Sequence, residues 1–338
     1  MSSFTIGLAI LGGLVLAGVV AWNTWSARRQ APRMAEPSVG GANDAPRTDP
    51  TFDATDAAPL PTLEKRPGLD ALIDVIAPIA LDDPIPGEAA LAVLPATRRA
   101  GGKPYAVEGW NEATQRWETP AAGQRYSAFQ AGVQLANRVG PLNEIEFSEF
   151  VVKTQAFADA VNGVAEFPDM REQVARGREL DQFASEYDAQ LSFTLRARSA
   201  SWSPGFVHQH ATRQGFVPGA IAGRLSLPGS TPGAAAVLTL SFDTQAALAE
   251  DPAHSAIREV TLTLDAPQVG RAERPFVRMR EAAVALAASM DGLITDDHGQ
   301  VIRVEALDHI GADLEQRYDA LDEHDLSAGS PQARRLFS

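Results

Sequence analysis

Cysteine is missing from all 338 residues. Disulfides, thiolate metal centres and cysteine nucleophiles are thereby excluded together. Positive charge is scarce as well: 29 Lys and Arg face 43 Asp and Glu, a net charge of −14. That balance disfavours nucleic acid, which calls for a basic face, and broad contact with anionic lipid. The common catalytic signatures are also lacking. No G-x-x-x-x-G-K-[ST] loop and no G-x-G-x-x-G after a strand occurs, and no G-x-S-x-G elbow. His208 and His210 lie two apart in a predicted helix, so they point to different faces and make no metal pair. His254, His298, His309 and His324 stand singly among polar residues and read as surface positions. Asp296 and Asp297 are adjacent, so their side chains diverge, and they read as turn-shaping residues rather than a carboxylate pair. No catalytic residue, metal site or cofactor is expected, and the chain reads as non-enzymatic.

What is present begins at the N-terminus. Phe4 to Trp25 is a run of 22 residues without charge. As a helix it reaches roughly 30 Å, enough to cross a hydrocarbon core. Phe4, Leu8, Leu11, Leu14, Leu16 and Val19 form its apolar body, and Trp22 and Trp25 suit the headgroup layer. Arg28, Arg29 and Arg33 follow at once. The positive-inside rule then places the N-terminus outside the membrane and the remainder in the cytoplasm. A cleaved signal peptide would want a basic start and a shorter apolar core, and residues 1–5 contain no Lys or Arg. Ala9, Gly13, Ala17 and Ala21 recur every fourth residue, a small-residue stripe that suits a helix dimer. Residues 28–68 are rich in Pro, Ala and Asp and poor in large apolar side chains. They read as a disordered linker, with a reach of about 35–40 Å.

Order is expected from Leu69. Residues 69–81 read as a buried strand. Residues 87–99 have helical spacing interrupted by Pro95. Antiparallel strands are expected at 104–110, 115–117, 126–138 and 144–152. Helices follow at 150–162, stopped by Gly163, and at about 168–185. A second α+β unit starts at 189–197, where Leu191, Phe193 and Leu195 alternate with Gln190, Ser192, Thr194 and Arg196. Ser203 caps a helix to Gln214, ended by Gly215. Strands are expected at 220–227, 235–242 and 257–264, a helix at 275–292, a strand at 293–296, and a last helix at 304–322. The fold class is α+β: an N-terminal transmembrane helix and linker, then antiparallel sheets with helices on one face. The domains are an anchor (1–27), the linker (28–68), a unit of unknown role (69–186), a second unit (187–326) and a tail (327–338) that is frayed or loosely docked. Both halves read as strand, helix, antiparallel strands and long helix, a possible duplication, although the first lacks a counterpart of residues 293–302.

Two stretches carry a resemblance. ATRQGFVPGAIAGRLSL (211–227) is a helix end, then Gly215-Phe216-x-x-Gly219, then a strand. MDGLITDDHGQVIRVEALDHIGADLEQ (290–316) is a helix end at Gly292, a strand closing in Asp296-Asp297, a turn and a helix. In this order they resemble the C-terminal domain of the ZipA family, membrane-tethered division proteins that bind FtsZ. The resemblance covers about 189–323, extends to the anchor and linker in layout only, and hardly reaches 69–186. It implies a split β-α-β fold whose open sheet face takes the FtsZ tail peptide. It further implies a single-pass inner-membrane protein at midcell, tethering the Z ring during septation. The open face expected here holds Ser192, Thr194, Arg196, Arg224, Thr239, Ser241, Thr261 and Thr263. That is more polar than an apolar groove, so either the groove is wet or the first unit supplies or covers it. Tyr105, Trp110, Trp117, Tyr126 and Phe129 are the aromatic candidates for such a surface. The alternative is a tethered scaffold of this fold with another envelope or division partner.

Overall fold

The structure is a computed structural model that describes residues 32–35, 68–230, 235–249 and 255–338. The apolar run at 4–25, the small-residue stripe and most of the linker lie outside the described residues. Among the described residues no helix is long and apolar enough to cross a membrane. The chain divides into two compact units of mixed helix and antiparallel sheet. The first comprises Thr62–Ala189, Ala266–Arg271 and Asp313–Ser338. The second comprises Gln190–Asp265 and Ala272–Ala312, to which residues 32–35 attach.

In the first unit, β1 (Asp74–Pro86) leads into α1 (Gly87–Val93). A meander follows: β2 (Arg99–Ala100), β3 (Lys103–Asn111), β4 (Arg116–Glu118) and β5 (Arg125–Gln134). A small hairpin, β6 (Ala136–Asn137) and β7 (Gly140–Pro141), precedes the long α2 (Glu144–Ala160). Then come β8 (Gly163–Ala165) and α3 (Met170–Tyr187). The sheet order is β2-β3-β5-β1-β8, with β4 on β3. Val75, Ala77, Ile79, Tyr105, Val107, Phe129, Ala131 and Val133 point to one face and are buried with Phe147, Phe150 and Phe157 of α2.

Residues 144–152, expected as a strand, are the first turns of α2. The reason is a capping box. The Asn143 side chain accepts from the Ile145 and Glu146 amides, both at 3.0 Å. Glu146 returns the bond to the Asn143 amide at 3.2 Å. These bonds satisfy amides that a helix start otherwise orphans. Nor does Gly163 end this helix. The left-handed residue is Asn162, with φ 53. Asn tolerates that region. Gly163 instead lies so close to β1 that a Cβ would sit 2.8 Å from the Ala80 carbonyl oxygen.

The second unit runs β9 (Gln190–Ala197), α4 (Pro204–Arg213), β10 (Val217–Pro218), β11 (Arg224–Leu227) and β12 (Leu238–Ser241). The short α5 (Thr244–Ala247) and β13 (Glu259–Asp265) follow. Then come α6 (Pro275–Met290), β14 (Gly292–Thr295) and α7 (Val304–Glu323). Its order is β10-β11-β12-β13-β9-β14. Ser203 caps α4, accepting from Phe206 N–H at 3.2 Å. Gly215, φ +85, closes it: its amide bonds Thr212 O and the Phe216 amide bonds Ala211 O. That double bond is the Schellman arrangement, which needs a left-handed residue. Helix α6 stops at Asp291, φ 55, rather than at Gly292. Phe193, Leu195, Leu225, Leu240, Val260 and Leu262 are buried. Helix α6 lies against their strands β9 and β13.

Of the two states expected for the tail, frayed or loosely docked, the structure has it docked. Residues 331–336 form α8 (Pro331–Leu336), capped by Ser330. Ala333, Leu336 and Phe337 are buried with Ile73, Leu321 and Leu326 in a cluster of the first unit. Their apolar area supplies the ordering that a polar tail would lack. Arg335 forks onto Asp74 through Nη1–Oδ2 at 2.8 Å and Nη2–Oδ1 at 2.5 Å.

Candidate functional site

The two units repeat one scheme. In each, the first strand sits between the last meander strand and a short strand that follows the long helix: β1 between β5 and β8, β9 between β13 and β14. Each long helix ends in a left-handed Asx, Asn162 or Asp291, followed by a glycine that starts the short strand. The counterpart of β14 is therefore β8, which its length of three residues hid in the sequence. Each sheet has one face buried by helices, and side-chain alternation assigns the residues of the other.

On the second unit the eight residues expected to share a face do so. The register pairs Ser192 with Thr263 and Thr194 with Thr261. Thr239 pairs with Thr263 and Ser241 with Thr261. Arg224 lies opposite Ser241, and Arg196 opposite Glu259. The result is a hydroxyl ladder across four strands, partly exposed, with Val217 at one edge and Leu293 beside Arg196. Arg196 bridges Glu259 at 2.8 Å, and Ser192 Oγ donates to Asp297 Oδ1 at 2.9 Å. Asp296 shapes the turn as expected, accepting from the amides of His298 at 2.9 Å and Gln300 at 2.8 Å. Phe216 is buried. Gly219 lies where a Cβ would come within 3.1 Å of the Arg224 carbonyl oxygen. The family-motif residues thus have structural work of their own.

The first unit's open face differs. Ile76, Pro78 and Ala80 of β1 share it with Ala106 and Glu108 of β3 and Ala128, Gln130 and Gly132 of β5. Val164 of β8 pairs with Ala80 and is 69% exposed. Most of these side chains are small and apolar. Leu69 lies across the centre, its Cδ2 2.5 Å from where a Gly132 Cβ would stand, so a side chain there would displace it. Glu108 fastens this crossing, accepting from Leu69 N–H at 3.1 Å and from Gln130 Nε2 at 2.8 Å. Of the aromatic candidates, Tyr105, Tyr126 and Phe129 are core residues, because their positions face α2. Trp110 and Trp117 remain at the surface and meet edge-on at 5.4 Å between ring centres. Beside them a cleft of about 340 Å³ is lined by Glu108, Asn111, Trp117, Glu118 and Gln124. Glu118 Oε1 accepts from Asn111 Nδ2 at 2.6 Å and the Tyr126 hydroxyl at 3.0 Å. Its carboxylate is thus engaged by neutral donors, and nothing there pairs a nucleophile with a base.

The perturbed titratable groups are scattered. Burial raises the Asp74 carboxyl, and Arg335 pulls it partly back. Burial lowers Lys103, whose ammonium holds the β6–β7 hairpin through Asn137 Oδ1 at 3.0 Å and the Gly140 carbonyl. Burial raises the Tyr318 phenol and lowers His208. None of these four lines the cleft beside Trp117. Among the described residues no group of three or more His, Asp or Glu is placed to hold a metal. His210 is buried against Phe206 at 4.3 Å between rings, because it falls on the core face of α4. His208 lies edge-on to Phe242, and His324 stacks on Phe183.

No family model matches the chain, and no curated protein is similar to it.

Two features escaped the sequence reading. The apolar run 69–81 concealed its alternation, because both faces of β1 are apolar; Pro78 in mid-run was the available signal. Arg33, expected in a free linker, is docked on the second unit.

Proposed function

We propose that this protein is a membrane-tethered, non-enzymatic binding protein that holds FtsZ filaments at the inner membrane, as the ZipA resemblance implies. The observation that supports it most is the second unit itself. Its two motif stretches close a six-stranded antiparallel sheet with helices on one side and a partly exposed face on the other. An antiparallel sheet with helices on one face supports the split β-α-β reading that the resemblance implies, and its repetition in the first unit favours a duplicated binding domain. The 4–25 run supplies the anchor of this reading, with the N-terminus outside and midcell as the location.

A docked amphipathic peptide needs apolar anchors in a depression. The second unit's hydroxyl ladder offers few. The first unit's face offers Pro78, Ala80, Ala106 and Val164, with Trp117 at the cleft beside it. We therefore assign the apolar contact to the first unit, and treat the second unit's face as a polar surface for the same filament. The test is recruitment of FtsZ polymers to vesicles bearing the full chain. Polymers with the tail should pellet with the vesicles and tail-less polymers should not. Equal pelleting of both, or of neither, removes the peptide reading. A scaffold with another partner is supported by the polarity of the second face, and a uniform rim of a fluorescent fusion, instead of a midcell band, would favour it.

A further inference from the structure

The second unit carries a strand-docking site that its motif residues build. Trp202 is fully buried, and its indole Nε1 donates to the Met290 carbonyl at 2.7 Å. The same ring packs against Gly292, where a Cβ would lie 3.3 Å from it. On one side the Trp202 backbone exchanges two hydrogen bonds with Ile257, at 2.7 and 2.8 Å. Its other side receives residues 32–35. The Arg33 amide donates to the Ser201 carbonyl at 2.6 Å, and the Ser203 amide donates to the Arg33 carbonyl at 2.9 Å, as in a parallel ladder. Arg33 Nη2 then reaches Asp291 Oδ2 at 2.7 Å. Ser199 Oγ holds that carboxylate at 2.9 Å, with Arg198 Nε at 3.8 Å. The platform is buried and hydrogen-bonded on its far side, and its occupant is short and cationic.

We propose that residues 201–203 with Asp291 are a reversible docking site for the chain's own segment 32–35, which sets the effective length of the linker. Two backbone bonds and one ion pair hold the segment. Both members of that pair are 37% exposed, so their attraction is modest and screened by salt. Against them stands the entropy of ordering four residues, a cost at least as large. The docked state is therefore not strongly favoured, and release is accessible. The consequence for reach rests on the membrane reading above. Docked, Arg33 lies eight residues past Trp25, so the second unit is held within about 29 Å of the membrane helix. Released, the linker runs free to the start of the first unit, with an extended limit of roughly 150 Å from the membrane helix to that point.

The docking itself is testable without a membrane. A Cβ at Gly205 would lie 3.7 Å from the Ala35 Cβ. That is a disulfide separation, and the chain has no cysteine to interfere. The full chain carrying Ala35→Cys and Gly205→Cys, in detergent micelles, should form an intramolecular disulfide under mild oxidant. Asp291→Lys or Arg33→Asp in that background should each slow the reaction about tenfold. The combined swap, Arg33→Asp with Asp291→Lys, should restore the rate. A folded protein that fails to cross-link, or cross-links at one rate in all four backgrounds, overturns the proposal. Loss of vesicle binding by the unmodified chain would overturn the membrane reading and leave the cross-linking result intact.

Discussion

The first and second units share a backbone plan and differ in what they show to solvent. Both place their first strand between the last meander strand and a short strand after the long helix. Both turn that corner with a left-handed Asx and a glycine, Asn162-Gly163 and Asp291-Gly292. The open faces have diverged, to Pro78, Ala80 and Ala106 in one and a Ser/Thr ladder in the other. The corners constrain backbone, where a wrong residue clashes or strains. An open face constrains side chains only through what binds it, so it is free to change. The units also differ in closure. The first buries the returning segment Leu336–Phe337 and the Asp74–Arg335 pair, while the Arg196–Glu259 pair of the second stands at the surface.

That difference in closure sets the largest effect. Arg335→Ala leaves the Asp74 carboxylate, 0% exposed, without its cation. The expected loss is about 3–5 kcal/mol, read as a fall in the urea midpoint. Arg196→Ala, which removes the exposed partner of Glu259, should cost less than about 1 kcal/mol. Equal losses would break the contrast. The sign with pH follows from Asp74. Its folded pKa lies above the ordinary 3.8 because burial outweighs Arg335. The native state then holds a proton that the unfolded chain releases, so this group's contribution falls as pH rises from 3.8 through the folded value. Removing Arg335 raises that value further. The Arg335→Ala deficit should therefore be greatest near neutral pH and shrink on acidification.

The shared corner separates the units next. Gly163→Ala drives a Cβ to 2.8 Å from the Ala80 backbone oxygen and should cost about 1–3 kcal/mol. Gly292→Ala meets the Trp202 ring at 3.3 Å and the Arg196 carbonyl oxygen at 3.4 Å, both longer contacts, and should cost less. Thermal unfolding of the two variants side by side checks the order. The caps, by contrast, should make the units look alike. Asn143→Ala and Ser203→Ala each remove a side-chain acceptor at a helix start, and each should cost about 1 kcal/mol. Smallest is the left-handed residue itself. Asn162→Gly should be neutral or stabilising by less than about 1 kcal/mol. Asp291→Gly removes the same strain but also the Arg33 and Ser199 contacts, and should fall below it.

Much of this plan was legible in the sequence. Strand β9 showed its faces because Leu191, Phe193 and Leu195 alternate with polar residues, and Ser203-Pro204 marked a helix start that the structure keeps. The first unit was harder to read because Ile76, Pro78 and Ala80 are as apolar as Val75, Ala77 and Ile79, which erases the period-two signal. Residues 144–152 alternate like a strand, yet two bonds from Asn143 and one from Glu146 decide for helix. The tail looked polar, and only long-range partners such as Asp74 and Ile73 reveal why it docks. Arg33 lies in a linker-like composition, and its partner is 258 positions away.

The assignment of the apolar contact to the first unit can be tested directly by recruiting FtsZ polymers to vesicles that carry face variants of the full chain. Ala80→Glu with Ala106→Glu charges the first open face at two exposed positions, and Thr194→Glu with Thr261→Glu charges the second. The account predicts that the first pair abolishes tail-dependent recruitment while the second leaves most of it. Recruitment that survives the first pair and is lost with the second would contradict it.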